Sequence, residues 1–224
     1  MVYRFDQAGN HLGNIPNTGI DNIKGMTVVG NQVWLTNAGT NQGAPGNSIV
    51  FIDIATATPV GSAPTVGSLF DLIPFQGQLL GSNIGNQNIE FYSPTTGELT
   101  GTFHAPATGG LRFPQQMVER ENGNLLVAGF STIGGSTTGI YEFTSEGVPL
   151  GVVAGAGAGA RGVIELENGE IMWSSGAGFS VGSDLIFGGA GVSGQYLSFV
   201  TVIPTPAGFA LFAAAGLAAA RRRR

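Results

Sequence analysis

The chain of 224 residues contains no cysteine and is poor in histidine and in charge. Without cysteine it can form no disulfide framework, no thiolate nucleophile and no cysteine-ligated zinc site. Two histidines, His11 and His104, are too few for a multi-histidine metal centre, and we expect neither a metal nor a cofactor. Charged residues make up only 10% of the chain, but hydrophobic residues make up 42%, which excludes a disordered chain.

Positive charge is scarce outside the C-terminus. Four of the nine basic residues are the last four, Arg221, Arg222, Arg223 and Arg224, so residues 1–203 hold five basic and fourteen acidic residues. A body with a net charge of about −9 is repelled by nucleic acids and by anionic membranes. It also has no basic patch with interleaved aromatic residues. We therefore expect no nucleic-acid partner.

The body of the chain repeats a unit made of an apolar strand, a tight polar turn and a second apolar strand. The second strand opens every 46 residues, at Val33, Leu79, Leu125 and Ile171. An Asn-Gly pair between apolar runs, as at 122–123 and 168–169, predicts a hairpin in which both central residues have positive φ. A second hairpin follows each first one. Its last strand is marked by Leu12, Val60, Leu99, Leu150 and Leu197.

Four strands in about 45 residues is the period of a β-propeller blade. Each blade exposes an apolar face that only a neighbouring blade can cover. We therefore predict an all-β fold over residues 1–200, a β-propeller of four-stranded antiparallel blades. The sequence places a half blade at 2–15 and full blades at about 23–62, 69–103, 113–153 and 160–200.

The predicted number of blades is about 4.5, whereas closed propellers typically have four to eight. Residues 2–5 already have the pattern of a strand, and no secretory apolar segment lies near Met1. We therefore expect that the chain is truncated at its N-terminus and that a complete version adds one or two blades and a signal peptide. The alternative is an open arc or a distorted five-bladed ring.

The third predicted blade resembles an NHL-type propeller repeat. The resemblance lies in Phe113-Pro114, in Asn122-Gly123-Asn124, and in Ile140-Tyr141-Glu142-Phe143 followed by Gly147. That family alternates a Phe-x-x-Pro start, an Asp-Gly-Asn turn and a closing Phe-Asp…Gly hairpin. The resemblance implies the fold more than an activity, because propellers host many unrelated functions.

The last 23 residues, 202–224, form a separate tail. An apolar run, 207–220, is followed at once by the four arginines. As a helix, these residues would span about 21 Å of a hydrocarbon core that is about 30 Å thick. We predict a short hydrophobic helix that is a marginal anchor, with the arginines in the cytoplasm and the body outside.

This tail resembles the PEP-CTERM sorting signal of exported bacterial proteins. That signal combines a Pro-Glu-Pro motif, a short apolar helix and a terminal arginine cluster. Here the motif is Pro204-Thr205-Pro206, with threonine in place of glutamate. The resemblance implies an exosortase, a membrane cysteine peptidase, as processing partner, and a membrane-anchored intermediate on the way to the cell surface or the medium. The alternatives are an ordinary weak anchor and a fraying apolar tail.

One face of the predicted propeller carries the tight turns, and the other carries the long second-to-third loops and the links between blades. Long loops on a rigid scaffold usually carry function. We therefore predict a ligand face beside the links 13–22 and 103–112. Its candidate residues are Asp21, Lys24, His104, Arg112 and Arg161.

No catalytic constellation emerges from the sequence. Residues 178–182 match the Gly-x-Ser-x-Gly pattern of a nucleophile elbow, but no histidine follows His104 and the pattern predicts no helix after Gly182. We expect a non-enzymatic binding or scaffold protein of the cell surface or extracellular matrix, with a surface ligand or polysaccharide as partner. The alternatives are a secreted propeller enzyme of the lyase or hydrolase type, and a truncated fragment without stable function.

Overall fold

The structure of the protein is a computed structural model, and the chain divides in it into two compact units. One unit comprises Met1–Ile15 and Phe199–Arg224, and the other comprises Pro16–Ser198. The residues that the structure describes are 2–6, 8–106, 110–189 and 192–199.

The C-terminal features of the sequence lie outside the described residues. These are the predicted hydrophobic helix, the motif 204–206 and the arginines 221–224. In the part of the chain that is described, no helix is long and apolar enough to cross a membrane.

The described residues of the first unit form an antiparallel hairpin, β1 (Val2–Phe5) and β2 (His11–Ile15). The Asp6 carboxylate holds the turn, accepting the backbone N–H groups of Ala8 at 2.9 Å and Asn10 at 2.8 Å. Hydrogen bonds from the Asn10 side chain and backbone keep the pKa of Asp6 below its ordinary value. This two-stranded sheet coincides with the segment predicted as a half blade.

The second unit contains, over its described residues, four antiparallel sheets of four strands, in which each strand pairs with the next one along the chain. Blade one consists of β3 (Ile23–Val29), β4 (Gln32–Asn37), β5 (Ser48–Asp53) and β6 (Thr58–Pro64). Blade two consists of β7 (Leu69–Phe75), β8 (Gln78–Asn83), β9 (Asn88–Tyr92) and β10 (Leu99–His104). Blade three consists of β11 (Pro114–Glu119), β12 (Leu125–Gly129), β13 (Gly139–Phe143) and β14 (Pro149–Ala154). Blade four consists of β15 (Gly162–Glu165), β16 (Ile171–Ser175), β17 (Gly178–Val181) and β18 (Asp184–Gly188).

These sheets confirm the predicted all-β propeller of four-stranded antiparallel blades. Short 3-10 turns, Asn41–Gly43 and Ile133–Gly135, lie in the long loops between the second and third strands of blades one and three. The first strands of successive blades contact one another, so β3, β7, β11 and β15 are the inner strands. Their starting ends therefore lie close together.

Blade four ends earlier than the sequence pattern predicts. Leu197 was expected in its last strand, but β18 ends at Gly188. The reason is the short turn after β17, which pairs Leu185 with Ser180 and, across a register shift, Phe187 with Phe179. Residues 192–198 are left outside the sheet, and the Leu197 N–H donates to Gln116 Oε1 in blade three at 2.9 Å.

The hairpin turns are where predicted, but their backbone φ angles differ from those expected for an Asn-Gly turn, in which both central residues have positive φ. In blade three only Gly123 has positive φ, +83°, and the turn closes through the Arg120 N–H and the Asn124 carbonyl at 2.8 Å. A turn with both central residues at positive φ occurs instead in blade two, at Gln76 (+49°) and Gly77 (+77°). The longer Asn-Gly loops need left-handed backbone only at glycine, which has no Cβ to clash.

The hydrophobic core is divided into clusters between neighbouring blades. Trp34 and Ile49 of blade one pack with Leu72 and Tyr92 of blade two. The cluster between blades two and three includes Phe75, Phe103, Met117, Tyr141 and Phe143. Blades three and four meet through Leu126, Ile140, Val163 and Trp173. Each blade therefore depends on its neighbours to bury its faces, as repeat architectures require.

Candidate functional site

Four residues at equivalent positions of the four inner strands meet at one cavity. Three of them are the second residue of an inner strand, and the fourth immediately precedes one. At these positions the pairing with the second strand of the blade shifts its register or begins. They recur at intervals of 46, 45 and 46 residues along the chain and line a cavity of about 530 Å³. These inner-ring residues are Lys24, Phe70, Gln115 and Arg161.

The residue after each inner-ring position controls the contact with the next blade. In blade two it is Asp71, whose Oδ2 accepts the Met117 N–H of blade three at 2.9 Å. In blade three it is Gln116, whose Oε1 accepts the Val163 N–H of blade four at 3.1 Å. Blades one and four have glycine at this position, Gly25 and Gly162. These side-chain bonds join successive inner strands and so hold the inner-ring residues in place.

Asp71 is buried and has no cation among its hydrogen-bond partners in the described residues. Burial raises the pKa of Asp71 to about 6, against the opposing effect of the N–H groups of Met117 and Leu72. Its other oxygen, Oδ1, accepts the Leu72 N–H at 2.9 Å. The carboxyl group is therefore an inter-blade clamp whose charge is disfavoured by its surroundings.

Aromatic rings form much of the cavity wall. The Arg161 guanidinium carbon lies 4.4 Å from the centre of the Phe130 ring, and Lys24 Nζ lies 5.7 Å from the centre of Phe70. Both distances fit cation–π contacts. Phe113, whose ring centre is 6.0 Å from that of Phe130, has φ of +53°, rare for a bulky residue. Such a backbone persists only where its surroundings hold it, and it is common at binding sites.

The polar groups of the cavity are positive or neutral. Lys24 and Arg161 are two of the five basic residues in residues 1–203, and the described lining contains no carboxylate. Gln115 is only 2% exposed, yet its Oε1 has no hydrogen-bond partner among the described residues. The same holds for Arg161 Nε. Buried polar atoms are nearly always paired, so these two unpaired atoms beside the cavity mark it as a candidate binding site.

One side of the cavity is formed by residues 192–198, which we call the strap. Gln195 and Tyr196 of the strap line the cavity. The Tyr196 ring stacks on Phe70 with centres 5.3 Å apart, and its hydroxyl donates to the Phe70 carbonyl. Burial, and then the nearby Asp71 carboxylate, raise the pKa of Tyr196, so its hydroxyl remains a donor.

The structure brings together two of the five predicted ligand-face residues, Lys24 and Arg161. The Asp21 carboxylate instead binds the loop of blade one, where Oδ2 accepts the Asn41 backbone N–H at 3.0 Å. Arg112 adjoins Phe113 in sequence, and its Nη1 donates to Gln87 Oε1 at 3.4 Å.

His104 is not among the residues that line the cavity. Its ring packs at 4.6 Å from the ring of Phe143. Burial lowers the pKa of His104, opposed by a hydrogen bond with Gly147. Its surroundings are therefore those of an inter-blade packing residue.

Sequence reasoning missed Phe70, Gln115 and Tyr196. The first two could have been found from Lys24 and Arg161, because all four follow the blade period. Tyr196 carries no such signal, since the strap belongs to no blade. The described residues contain no group of three His, Cys, Asp or Glu side chains that could hold a metal ion.

Comparison with known proteins places the fold but no family. No protein-family model matches the chain, and no curated protein matches it. A streptogramin B lyase structure matches 75% of this chain and 54% of its own, at 15% identity and a TM-score of 0.55. Hydrazine synthase of Kuenenia stuttgartiensis matches 80% of this chain and 54% of its own, at 11% identity and a TM-score of 0.57.

A nidogen/laminin complex structure also matches, over 76% of this chain and 62% of its own, at 14% identity and a TM-score of 0.55. The chain thus spans between half and two thirds of the length of these three proteins. At such low identity the likeness shows the β-propeller fold alone.

Proposed function

We propose that this chain is a non-enzymatic binding module of the bacterial cell surface or extracellular matrix, and that its cavity takes a carboxylate carried on a ring with an apolar face. The observation that carries the proposal is the lining of the cavity. Two of the few cations of an acidic body meet there among aromatic rings, beside a buried amide oxygen that has no hydrogen-bond partner among the described residues. Pockets of this kind combine apolar walls with a few polar groups that set orientation.

An acidic saccharide fits this chemistry. Its carboxylate can pair with Lys24 and with the Arg161 guanidinium, whose planar fork suits carboxylates. A ring hydroxyl can donate to Gln115 Oε1, and the apolar face of the sugar can lie against Phe113 or Phe130. Matrix polysaccharides rich in uronic acids present these groups in every repeat, which suits a scaffold role.

The direct test is calorimetric titration of the full chain with a short oligogalacturonate. The matched control ligand is the same oligosaccharide with its carboxyl groups reduced to alcohols. We expect binding of the acid and at least about tenfold weaker binding of the reduced form, because a hydrogen bond to a charged group is worth roughly 1.5–3 kcal/mol. Equal affinities for the two would contradict the proposal.

Variants locate the site. Arg161→Met and Lys24→Met should each weaken binding by about tenfold, whereas Arg4→Met, which removes a cation in the first unit, should leave it unchanged.

A simple aromatic carboxylate such as benzoate serves as a second ligand. Preference for benzoate would assign the same chemistry to a small metabolite, and shortened or unsaturated saccharide products would favour the alternative of a secreted lyase or hydrolase.

Export and sorting form the second part of the proposal, supported by the tail 202–224 and its resemblance to PEP-CTERM signals. An exosortase would process the chain near Pro204-Thr205-Pro206 after a membrane-anchored stage. Intact mass spectrometry of protein from the producing cells and their medium tests this. A C-terminus near Pro204 in the medium is expected, whereas a chain that retains Arg224 and stays in membranes would make the tail a plain anchor.

A further inference from the structure

The strap, residues 192–198, lies across the inner strands without joining any sheet. It contacts three blades in succession. Its Gly194 carbonyl accepts the Ser174 hydroxyl of blade four at 3.0 Å, its Leu197 bonds to Gln116 of blade three, and its Tyr196 stacks on Phe70 of blade two. The surface that the strap contacts therefore runs from the second strand of blade four to the inner strands of blades three and two, and we call this surface the groove.

The groove contacts mainly the backbone of the strap. The Gln116 amide makes a two-point contact, in which Nε2 donates to the Leu197 carbonyl at 2.6 Å and Oε1 accepts the Leu197 N–H at 2.9 Å. The Ser174 hydroxyl adds a third bond to the backbone. Bonds of this type recognise an extended peptide whatever its side chains, as in strand addition to a sheet edge.

Two positions of the strap restrict which peptide would fit. A Cβ on Gly194 would lie 2.5 Å from an atom of the Phe179 ring, so this position accepts only glycine without rearrangement. Two residues later, Tyr196 combines a ring stacked on Phe70 with a hydroxyl donating to the Phe70 carbonyl. The pattern is Gly-x-Tyr followed by an aliphatic residue.

We propose that the groove is a peptide-binding site for an extended Gly-x-Tyr-aliphatic segment, and that the strap is its exchangeable internal occupant. The strap is held by two hydrogen bonds with Gln116, by one with Ser174, and by the ring stack and hydroxyl bond of Tyr196 with Phe70, and it pairs with no strand of the described sheets. Segments outside the sheets open locally at a lower free-energy cost than the paired strands of the core. The site is distinct from the anion-binding groups of the cavity and goes beyond the proposed function.

The test uses the full chain and a fluorescent synthetic peptide, Val-Ser-Gly-Gln-Tyr-Leu-Ser, which copies residues 192–198. In the wild-type chain the strap competes with the peptide. Gly194→Leu in the chain should displace the strap and free the groove, so the peptide should bind this variant at least about tenfold more tightly than wild type. Equal binding to both chains would overturn the proposal.

A second substitution identifies the groove. Gln116→Glu, added to Gly194→Leu, keeps an oxygen for the N–H groups of Val163 and Leu197 but cannot donate to the Leu197 carbonyl. Peptide binding should fall by at least about tenfold. Peptides with leucine at the glycine or serine at the tyrosine should also bind weakly. Unchanged binding in either comparison would contradict the assignment.

Hydrogen exchange of the Leu197 amide provides a measurement that does not require the Gly194→Leu variant to fold. Ser174→Ala removes a single bond to the strap, and the amide should exchange faster than in wild type while the amides of β12 stay protected. Unchanged exchange would mean that the strap is not held as proposed. Arg161→Met should leave peptide binding intact, so failure of the cavity proposal and failure of this one are distinguishable.

Discussion

The arginines at the two ends of the inner strands differ in their side-chain partners. At the tight-turn end, Arg120 of blade three donates from Nε to Glu165 of blade four at 2.8 Å and from Nη1 to Glu142 at 2.9 Å. At the loop end, Arg161 lies over the Phe130 ring and its Nε has no partner among the described residues. Both side chains approach the boundary between blades three and four.

The difference between these two arginines indicates a stabilising role for Arg120, in contrast to the proposed binding role of Arg161. The hydrogen bond with Glu165 raises the pKa of Arg120, and the pKa of Glu165 is lowered although its burial opposes this. The Arg120 cation at the tight-turn end is thus paired within the protein and joins two blades. Arg161 at the loop end is in no ion pair among the described residues, which is the arrangement that the proposed anion site requires.

Substitution of Asp71 should give the largest effect on the unfolding free energy. It sharpens the comparison with Arg120, because Asp71 joins two blades without a cation. Its pKa of about 6 exceeds the ordinary 3.8, so the folded state binds its proton more tightly than the unfolded state does. The stability that Asp71 contributes is present below pH 4 and lost as pH rises to about 6. The difference in unfolding free energy between wild type and Asp71→Asn should change by up to about 3 kcal/mol over this window.

The measurement is urea denaturation of both proteins at several pH values. Asp184→Asn, which alters an exposed carboxyl group of blade four, is the control for removal of one carboxyl group. If the wild-type and Asp71→Asn curves also ran parallel between pH 4 and 6, Asp71 would not be held in its protonated form.

Removal of Arg120 should have the next largest effect. Arg120→Met leaves Glu142 and Glu165 side by side without their cation, and we expect a loss of about 2 kcal/mol in unfolding free energy at neutral pH. The loss should shrink as pH falls through the lowered pKa of Glu165, because protonation of that carboxylate removes its ion pair with Arg120. Oligogalacturonate binding at the loop end should be unchanged.

Denaturation and calorimetry on the same samples check both halves of this prediction. Arg161→Met is the matched variant, expected to keep its stability within about 0.5 kcal/mol while binding falls. If Arg120→Met lost binding and Arg161→Met lost stability, the contrast between the two ends would be reversed.

His104 should give the smallest effect, with the opposite pH dependence to Asp71. Because burial lowers its pKa, folding favours the neutral ring. The associated stability is present above pH 6.5 and lost as pH falls below this value. The stability of wild type relative to His104→Gln should therefore fall between pH 7 and pH 5, as thermal denaturation of both proteins at the two pH values would show. An unchanged pH dependence would place the His104 ring in water rather than against Phe143.

The blade period made most of the fold predictable. Val33, Leu79, Leu125 and Ile171 each lie at or next to the start of the second strand of a blade, as their spacing indicated. Lys24 and Arg161 were found because charge in the links is rare. The role of Gln115 was not predictable, since its significance depends on burial, which a single polar residue in a strand does not reveal.

The strap marks the limit of prediction from pattern. Leu197 has the spacing of a last strand. Because the turn before Asp184 is short, residues 185–187 form the last strand of blade four instead. The unused apolar residues then pack against the inner strands, through contacts such as that between Tyr196 and Phe70. Such contacts join residues more than 100 positions apart, and no local periodicity encodes them.

The sequence by itself determined the strand content, the repeat and the charge imbalance, because alternation, glycine turns and composition act locally along the chain. The tertiary structure alone decided which side chains meet. Packing of the inner strands brings Lys24, Phe70, Gln115 and Arg161 to one cavity and pairs Arg120 with two carboxylates, and within the described part of the chain it leaves Gln115 Oε1 buried without a partner. Burial and pairing depend on neighbours that are distant in sequence, and these properties distinguish the proposed binding end from the tight-turn end.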